Sequence, residues 1–313
     1  MLHITNGTSV GIAQTGLAGD VLAWKDVLHE GPTPAGLSLG QMTEIRAHFL
    51  GDTKGDLTIR DAQLADFQKH EEVVLWFEHD LYDQLQLIQI LDWFSRQPPN
   101  GSRLSLICIG EFPGRPRFAG LGQLTPPELL SLFPARHEVT ESELQLGSTA
   151  WTIFCAPDPS GIEDLISGNT SPLPYLPGAL QRHLEQFPST RNGLSRSEQQ
   201  ILEILSAGPE SFHAVFSAAA DREEAIFLGD CTLWSYIERM RDGKIPLVVG
   251  TRHKLALTQA GQDVLHGKAD AIHLNGIDRW LGGVHLHGAE SEWRWETDRR
   301  RLARKESPGA DRR

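Results

Sequence analysis

The sequence predicts an α/β fold: an open, mainly parallel, Rossmann-like sheet, followed by a smaller winged-helix-like α+β domain. Three observations carry that expectation. Glu72-Val-Val-Leu-Trp-Phe77 and Leu104-Ser-Leu-Ile-Cys-Ile109 are nearly continuous apolar runs, as in strands covered on both faces. Short apolar runs, polar loops and stretches of helical spacing recur over residues 1–157, the pattern of parallel βαβ units. After Leu194 the pattern changes to three helices and two strand-like runs around a basic turn.

The predicted strands are Leu2 to Thr5, Asp20 to Trp24, Glu72 to Phe77, Arg103 to Ile109 and a fifth near His137 to Thr140. Helices over Leu39 to Leu50 and Ile59 to His70 fill the long crossover before the third strand. Leu81, Leu85, Ile88, Leu91 and Phe94 recur at spacings of three and four, so Asp80 to Gln97 reads as an amphipathic helix. Pro98-Pro99-Asn100-Gly101 ends it. Residues 158–193 are rich in Pro, Gly and Ser and read as a linker with short helices. Over 194–270, Ser195-Arg-Ser-Glu198 is a capping box that opens a helix to Ser206. Gly208-Pro209 stops it, helices follow over Phe212 to Ala219 and Thr232 to Arg241, and Pro246 to Gly250 and Lys254 to Leu257 flank the turn Thr251-Arg252-His253. Residues 271–313 form a C-terminal segment and basic tail.

With 313 residues, 40% hydrophobic and 22% charged, the chain can bury a core in each of two domains. Cys108, Cys155 and Cys231 are odd in number and far apart, which indicates neither a disulfide framework nor a cysteine zinc site and fits buried thiols in a reducing compartment. The start, Met1-Leu-His-Ile-Thr-Asn6, lacks a basic, apolar leader, and no apolar run reaches the roughly 18 residues of a membrane span. A cytoplasmic protein without a membrane partner is expected. The net charge is −12, and the +5 carried by Arg299 to Arg313 leaves −17 on the rest. Most of the surface should repel nucleic acid, so any attraction is local. Oligomeric state stays open, a homo-oligomer included.

In an open parallel sheet, ligands bind beyond the C-terminal ends of the strands, where loops diverge and leave a crevice. Asn6-Gly7-Thr8-Ser9 follow the first strand and Lys25-Asp26-Val-Leu-His29-Glu30-Gly31 the second. Glu78-His79-Asp80 with Asp83 follow the third, and Glu111 with Arg115 and Arg117 the fourth. Singly, each has an ordinary reading: Asn6, Thr8 and Ser9 as helix caps, Glu78 and Asp80 as macrodipole partners, His29 and Glu30 as surface loop, the arginines as solvated charges. His79 fits poorly, because an imidazolium is disfavoured at a helix start. Four such loops converging on one edge point to a site for a small anionic ligand.

Three chemistries fit that cluster. His29, Glu78, His79 and Asp80 offer imidazole and carboxylate ligands to zinc or manganese, although no HExxH spacing is present. The same groups can run general acid–base chemistry on an anion. In that case Asn6 and Ser9 supply anion or oxyanion contact, Gly7 admits backbone N–H groups, Glu30 lines the site, Asp26 orients, and Arg115 and Arg117 clamp phosphate or carboxylate. Gly7-Thr-Ser9-Val-Gly11 also matches the G-x-S-x-G elbow, and Asp26-Val-Leu-His29 has the D-x-x-H spacing of some serine esterases. Against that, such an elbow does not normally follow a first strand, and the esterase D-x-x-H lies near the chain's end. A ligand-binding domain without catalysis also stays open. Neither G-x-x-x-x-G-K-[ST] nor G-x-G-x-x-G occurs.

His3-Ile-Thr-Asn-Gly7, Asp26-Val-Leu-His-Glu-Gly-Pro32, Trp76-Phe-Glu-His-Asp-Leu-Tyr-Asp-Gln-Leu85 and Gly120-Leu-Gly-Gln-Leu124 resemble a bacterial family whose N-terminal domain is catalogued as domain of unknown function 1835. Phe227-Leu-Gly-Asp230 and Asp278-Arg-Trp-Leu-Gly-Gly-Val-His-Leu286 resemble that family's C-terminal region, so the likeness spans nearly the whole chain. It implies no established activity. The family's pattern leads one to expect an aspartate before the serine of the first loop, where this chain has Thr8.

A winged helix reads DNA with its third helix in the major groove and its wing along the backbone. Arg239 on that helix, and Arg252 and Lys254 in the wing, are the candidate DNA contacts, beside Glu223, Glu224, Glu238 and Asp242. Such domains also serve as packing modules. Asp278-Arg-Trp280 and Trp293-Arg-Trp295 alternate aromatic and basic residues, which suits stacking on a ligand or, as is commoner, packing of the segment onto the body. The leading expectation is a hydrolase or group-transfer enzyme for a small phosphate- or carboxylate-bearing substrate. The alternative is a ligand-responsive DNA-binding regulator with a non-catalytic sensor domain.

Overall fold

The computed structural model describes residues 1–52, 55–98 and 101–304. The basic tail beyond Arg304, and Pro99-Asn100 of the predicted helix stop, lie outside them. The chain divides into two compact units: Met1–Leu180 with Gly282–Val284, and Gln181–Leu281 with His285 onward. The division falls within the segment read as a linker, which carries two helices. No helix among the described residues is long and apolar enough to cross a membrane.

The first unit contains β1 (Leu2–Thr5), β2 (Asp20–Ala23), α1 (Leu39–Leu50), α2 (Asp56–Ala65), β3 (Glu72–Glu78), α3 (Leu81–Ser95), β4 (Arg103–Ile109), α4 (Pro126–Leu132), β5 (His137–Glu138), α5 (Glu141–Phe154) and α6 (Ser160–Ser167), and α7 (Leu176–Leu184) crosses out of it. The five strands form one sheet in the order β2-β1-β3-β4-β5. The first four are parallel and β5 runs antiparallel to β4. This is the mainly parallel α/β sheet the apolar runs predict.

Every residue of β3 is buried, because the strand lies between β1 and β4 and is covered on its faces. Val74 and Trp76 join Val10, Ile12, Ile107, Phe118, Leu121 and Leu129 in one cluster. Truncating Trp76 to alanine would cost about 3–5 kcal/mol on the scale of large core deletions.

Helix α3 is not the half-exposed amphipathic helix its spacing suggests. Gln84, Gln86, Gln89 and Asp92 on its polar positions are buried too. Each has a partner: Gln84 donates to the Glu78 carbonyl and Gln86 to the Asp26 carbonyl, while Gln89 accepts from the Trp24 indole and Asp92 from Ser148. Helix α5 packs on α3, and at Gly147 a Cβ would stand 2.6 Å from that of Leu91, so only glycine permits the approach.

One local expectation fails. No α-helix follows β1; a single 3-10 turn, Ile12–Gln14, stands there without a side-chain cap. Val10 and Ile12, two residues apart, both turn into the core cluster, and that spacing does not propagate a helix. Both readings of Asn6, Thr8 and Ser9 that invoke a helix N-terminus, as caps or as anion binders, therefore lack their helix. Helix α2 begins three residues before the predicted Ile59, because the Asp52 carboxylate accepts from the amides of Asp56 and Leu57 and nucleates it there.

The second unit carries α8 (Arg196–Ser206), α9 (Phe212–Ala220), α10 (Asp230–Asp242), β6 (Val248–Thr251), β7 (Lys254–Leu257), α11 (Gln259–Leu265), α12 (Ala271–Asn275), β8 (Ile277–Leu281), all but the first residue of β9 (Val284–Gly288), β10 (Trp293–Glu296) and β11 (Arg301–Arg304). The Ser195–Glu198 capping box opens α8. Strands pair as β6-β7, β8-β9 and β10-β11, and an isolated bridge joins Glu210, between α8 and α9, to Leu255 of β7. Trp293 and Trp295 are buried, and Arg294 between them pairs with Asp270 at 2.8 Å. These residues pack the C-terminal segment onto its own unit.

Candidate functional site

The strand order turns at β1: β2 lies on one side and β3 on the other. In open parallel sheets such a switch point, beyond the strand ends, is where ligands commonly bind. Asn6 follows β1, and Glu78 is the last residue of β3. The Asn6 amide donates to Glu78 Oε1 at 2.6 Å and to Asp83 Oδ2 at 2.7 Å. From the loop after β4, the Leu121 N–H donates to Glu78 Oε2 at 2.8 Å. The Glu78 N–H donates to Asp83 Oδ1 at 2.9 Å, and Asp80, N-cap of α3, accepts from the Asp83 N–H at 3.1 Å. Tyr82 Oη donates to the Asn6 carbonyl at 3.0 Å.

The result is a cluster of three carboxylates, with an oxygen of Glu78, Asp80 and Asp83 all within 4.8 Å of one another. Their exposures are 3%, 5% and 0%, so water screens none of the three well. The backbone closes directly over them: Gly120 has φ +131°, and a Cβ there would stand 2.2 Å from Glu78 Oε2.

Burial disfavours ionisation and lifts all three carboxyls above their ordinary range. The Asp80 charge raises Glu78 further, and the Asp80 and Glu78 charges raise Asp83, against the lowering effect of the N–H donors. Beside them, burial lowers the pKa of His79 and keeps the ring neutral. That ring contacts Phe118 and Tyr175, with centroids 6.1 and 6.0 Å away, and its Nδ1 is buried without a hydrogen-bond partner among the described residues.

The other predicted residues have different fates. Asp26 is fully buried and bound by Arg46, whose Nε and Nη2 approach at 3.0 and 2.8 Å, with Arg60 at 3.8 Å. Arg46 also donates to the carbonyls of Val27 and Glu30, so the second loop is pinned by an internal ion pair. Glu30 and His29 are buried, and the His29 ring sits edge-on to Tyr82 with centroids 6.0 Å apart. Ser9 is exposed, with its Oγ 2.9 Å from where a Cβ on Gly122 would stand, and the Gly7 carbonyl accepts from Thr5 Oγ1. Arg115 is held by Glu128 at 3.1 and 2.8 Å, and Arg117 is exposed.

The geometry thus gathers Asn6, Glu78 and Asp80, with His79 alongside, and ties Asp26 and Arg115 into ion pairs elsewhere. Asp83 and the Leu121 amide complete the cluster. Asp83 stands in sequence among the polar groups after β3 but reads as a first-turn acid rather than as a site residue, and a backbone amide 43 residues away leaves no sequence signal.

In the second unit, the Arg239 guanidinium lies 4.6 Å over the Tyr236 ring. Arg252 lies 4.9 Å over Phe212 and 4.4 Å over Trp234. Lys254 is exposed at the start of β7. The chain matches no protein-family model and no curated protein sequence.

Proposed function

We propose that the first unit is a hydrolase or group-transfer enzyme for a small phosphate- or carboxylate-bearing substrate, working at the β1/β3 crevice. One observation carries the reading: three buried carboxylates share a 4.8 Å cluster at the topological switch point. Structural burial alone does not favour three like charges in one place, whereas tuned carboxyls are what general acid–base chemistry requires. In this scheme Glu78 and Asp80 exchange the proton, Asp83 and Asn6 hold Glu78 in position, and neutral His79 is the nearby acceptor. Ser9 and Arg117, exposed on the first and fourth loops, meet the substrate as it enters.

The test is turnover of chromogenic phosphomonoesters, phosphodiesters and carboxylic esters by the full chain, with Mg²⁺, Mn²⁺ or Zn²⁺ supplied. Activity that drops on the order of 100-fold or more in Glu78→Gln supports the reading. Full activity in that variant rejects it.

A second reading concerns the other unit. The order helix, Glu210–Leu255 bridge, two helices and hairpin supports a winged helix. Arg239 and Arg252 lie on aromatic rings of their own unit, which favours a packing or protein-contact role over DNA recognition. A DNA-binding regulator would instead show duplex affinity that falls steeply with salt and weakens in Lys254→Ala, read by fluorescence anisotropy.

A further inference from the structure

We infer that Glu78, Asp80 and Asp83, together with Asn6, form a site for one hard divalent cation of the Mg²⁺ or Mn²⁺ class. The inference rests on the reading above and uses the same cluster, with the acids serving as ligands in the metal-bound form rather than exchanging the proton themselves. Every hydrogen bond described at these carboxylates has the carboxylate as acceptor: the Asn6 amide on two of them, and the N–H groups of Leu121, Glu78 and Asp83. Among the described residues no arginine or lysine is bonded to the cluster, in contrast to Asp26 with its Arg46.

The second observation is independent of the acids. Asn6 is 7% exposed, and its Oδ1 is buried without a hydrogen-bond partner among the described residues. Because the amide is planar and its nitrogen touches both Glu78 and Asp83, that oxygen stands at the same cluster. Three carboxylates and an amide oxygen are hard donors, which selects Mg²⁺ or Mn²⁺ over zinc. Three oxygens that all lie within 4.8 Å of one another are close enough to share one ion with bonds of about 2.1–2.4 Å. Such an ion also explains how an anionic substrate could approach three acids: its phosphate or carboxylate oxygens would complete the coordination, a role Arg115 cannot fill while bound to Glu128.

The experiment is a Mn²⁺ titration of the chelator-stripped full chain, followed by electron paramagnetic resonance of the free ion, with Mg²⁺ in competition. One Mn²⁺ per chain, displaced by Mg²⁺ and weakened on the order of 100-fold in Asp80→Asn, is expected. Glu44→Gln, an exposed acid on α1, should bind as the wild type does. Asparagine remains a good N-cap, so α3 keeps its start in Asp80→Asn, and circular dichroism checks that it does. No binding to the wild type at about 1 mM free Mn²⁺, well above the affinity range of protein sites for such ions, overturns the inference, as does unchanged affinity in the variant. Mn²⁺ binding without turnover of any ester leaves the ion and removes the reaction. Chelator-resistant turnover without Mn²⁺ binding does the reverse.

Discussion

Strand β3 begins and ends with glutamate, and its two ends solve the same electrostatic problem in opposite ways. Glu72 is 4% exposed and Glu78 is 3% exposed. At the first end, Arg136 Nε lies 2.8 Å and Arg103 Nη2 3.3 Å from the carboxylate, and Ser105 donates at 2.7 Å. The Arg136 hydrogen bond is the main cause that holds Glu72 below its ordinary value. At the other end the neighbours are Asp80 and Asp83, and the donors are amides. A buried carboxylate needs a counter-charge or a proton. The fold supplies the counter-charge at Glu72; at Glu78, where no described cation is bonded, burial and the Asp80 charge raise the pKa instead. Asp26, beyond the end of β2, shows that the sheet's C-terminal edge does not impose this difference, since Arg46 neutralises it there.

The comparison breaks first on activity. Glu78→Gln should lose about 10²- to 10⁴-fold in kcat/KM, the span of general acid–base catalysis, whereas Glu72→Gln should keep wild-type turnover. Equal losses would mean that both glutamates act through the fold. Second, Arg46→Met leaves Asp26 buried without its main partner and should cost about 3–5 kcal/mol in urea unfolding. A cost below about 1 kcal/mol, the scale of an exposed pair, would show that Asp26 finds another partner.

Third, Asp80→Asn in chelator-treated protein removes one of three crowded charges while keeping the cap. It should raise unfolding free energy at pH 8 by about 1 kcal/mol, the reverse of the Arg46 result. Destabilisation of Arg46→Met size would erase the contrast. The smallest effect is at Glu72. Its folded pKa is depressed, so its stabilisation is present above the ordinary value of 4.5 and is lost as pH falls through the folded value. The melting-temperature gap between wild type and Glu72→Gln should be constant at neutral pH and close in acid, as followed by differential scanning fluorimetry.

The strands of the first unit were legible because buried parallel strands must be apolar, and Leu2–Thr5 and Arg103–Ile109 stand where the pattern puts them. Helix α5 and strands β8 to β11 were not singled out. Each short hairpin strand spans only four or five residues, too few for a period to emerge, as in the single alternation of Trp293-Arg-Trp295. At the candidate site, the loop residues Asn6, Glu78 and Asp80 could be named because topology brings strand ends together. The arginine partners of Asp26 could not, since Arg46 lies in the following helix with nothing in the local pattern to aim it back. The partner of Arg115 was equally hidden: Glu128 reads as a capping residue of α4, and serves as one while also binding the arginine.

The Asn6–Glu78 bond spans 72 residues and the Glu78–Leu121 bond another 43. The three acids share the segment Glu78–Asp83, but Asn6 and Leu121 reach them only when two distant loops close, contacts of high sequence separation. In the finished protein the Leu121 amide should exchange its hydrogen only in openings that separate β1, β3 and the loop after β4, among the slowest the unit undergoes.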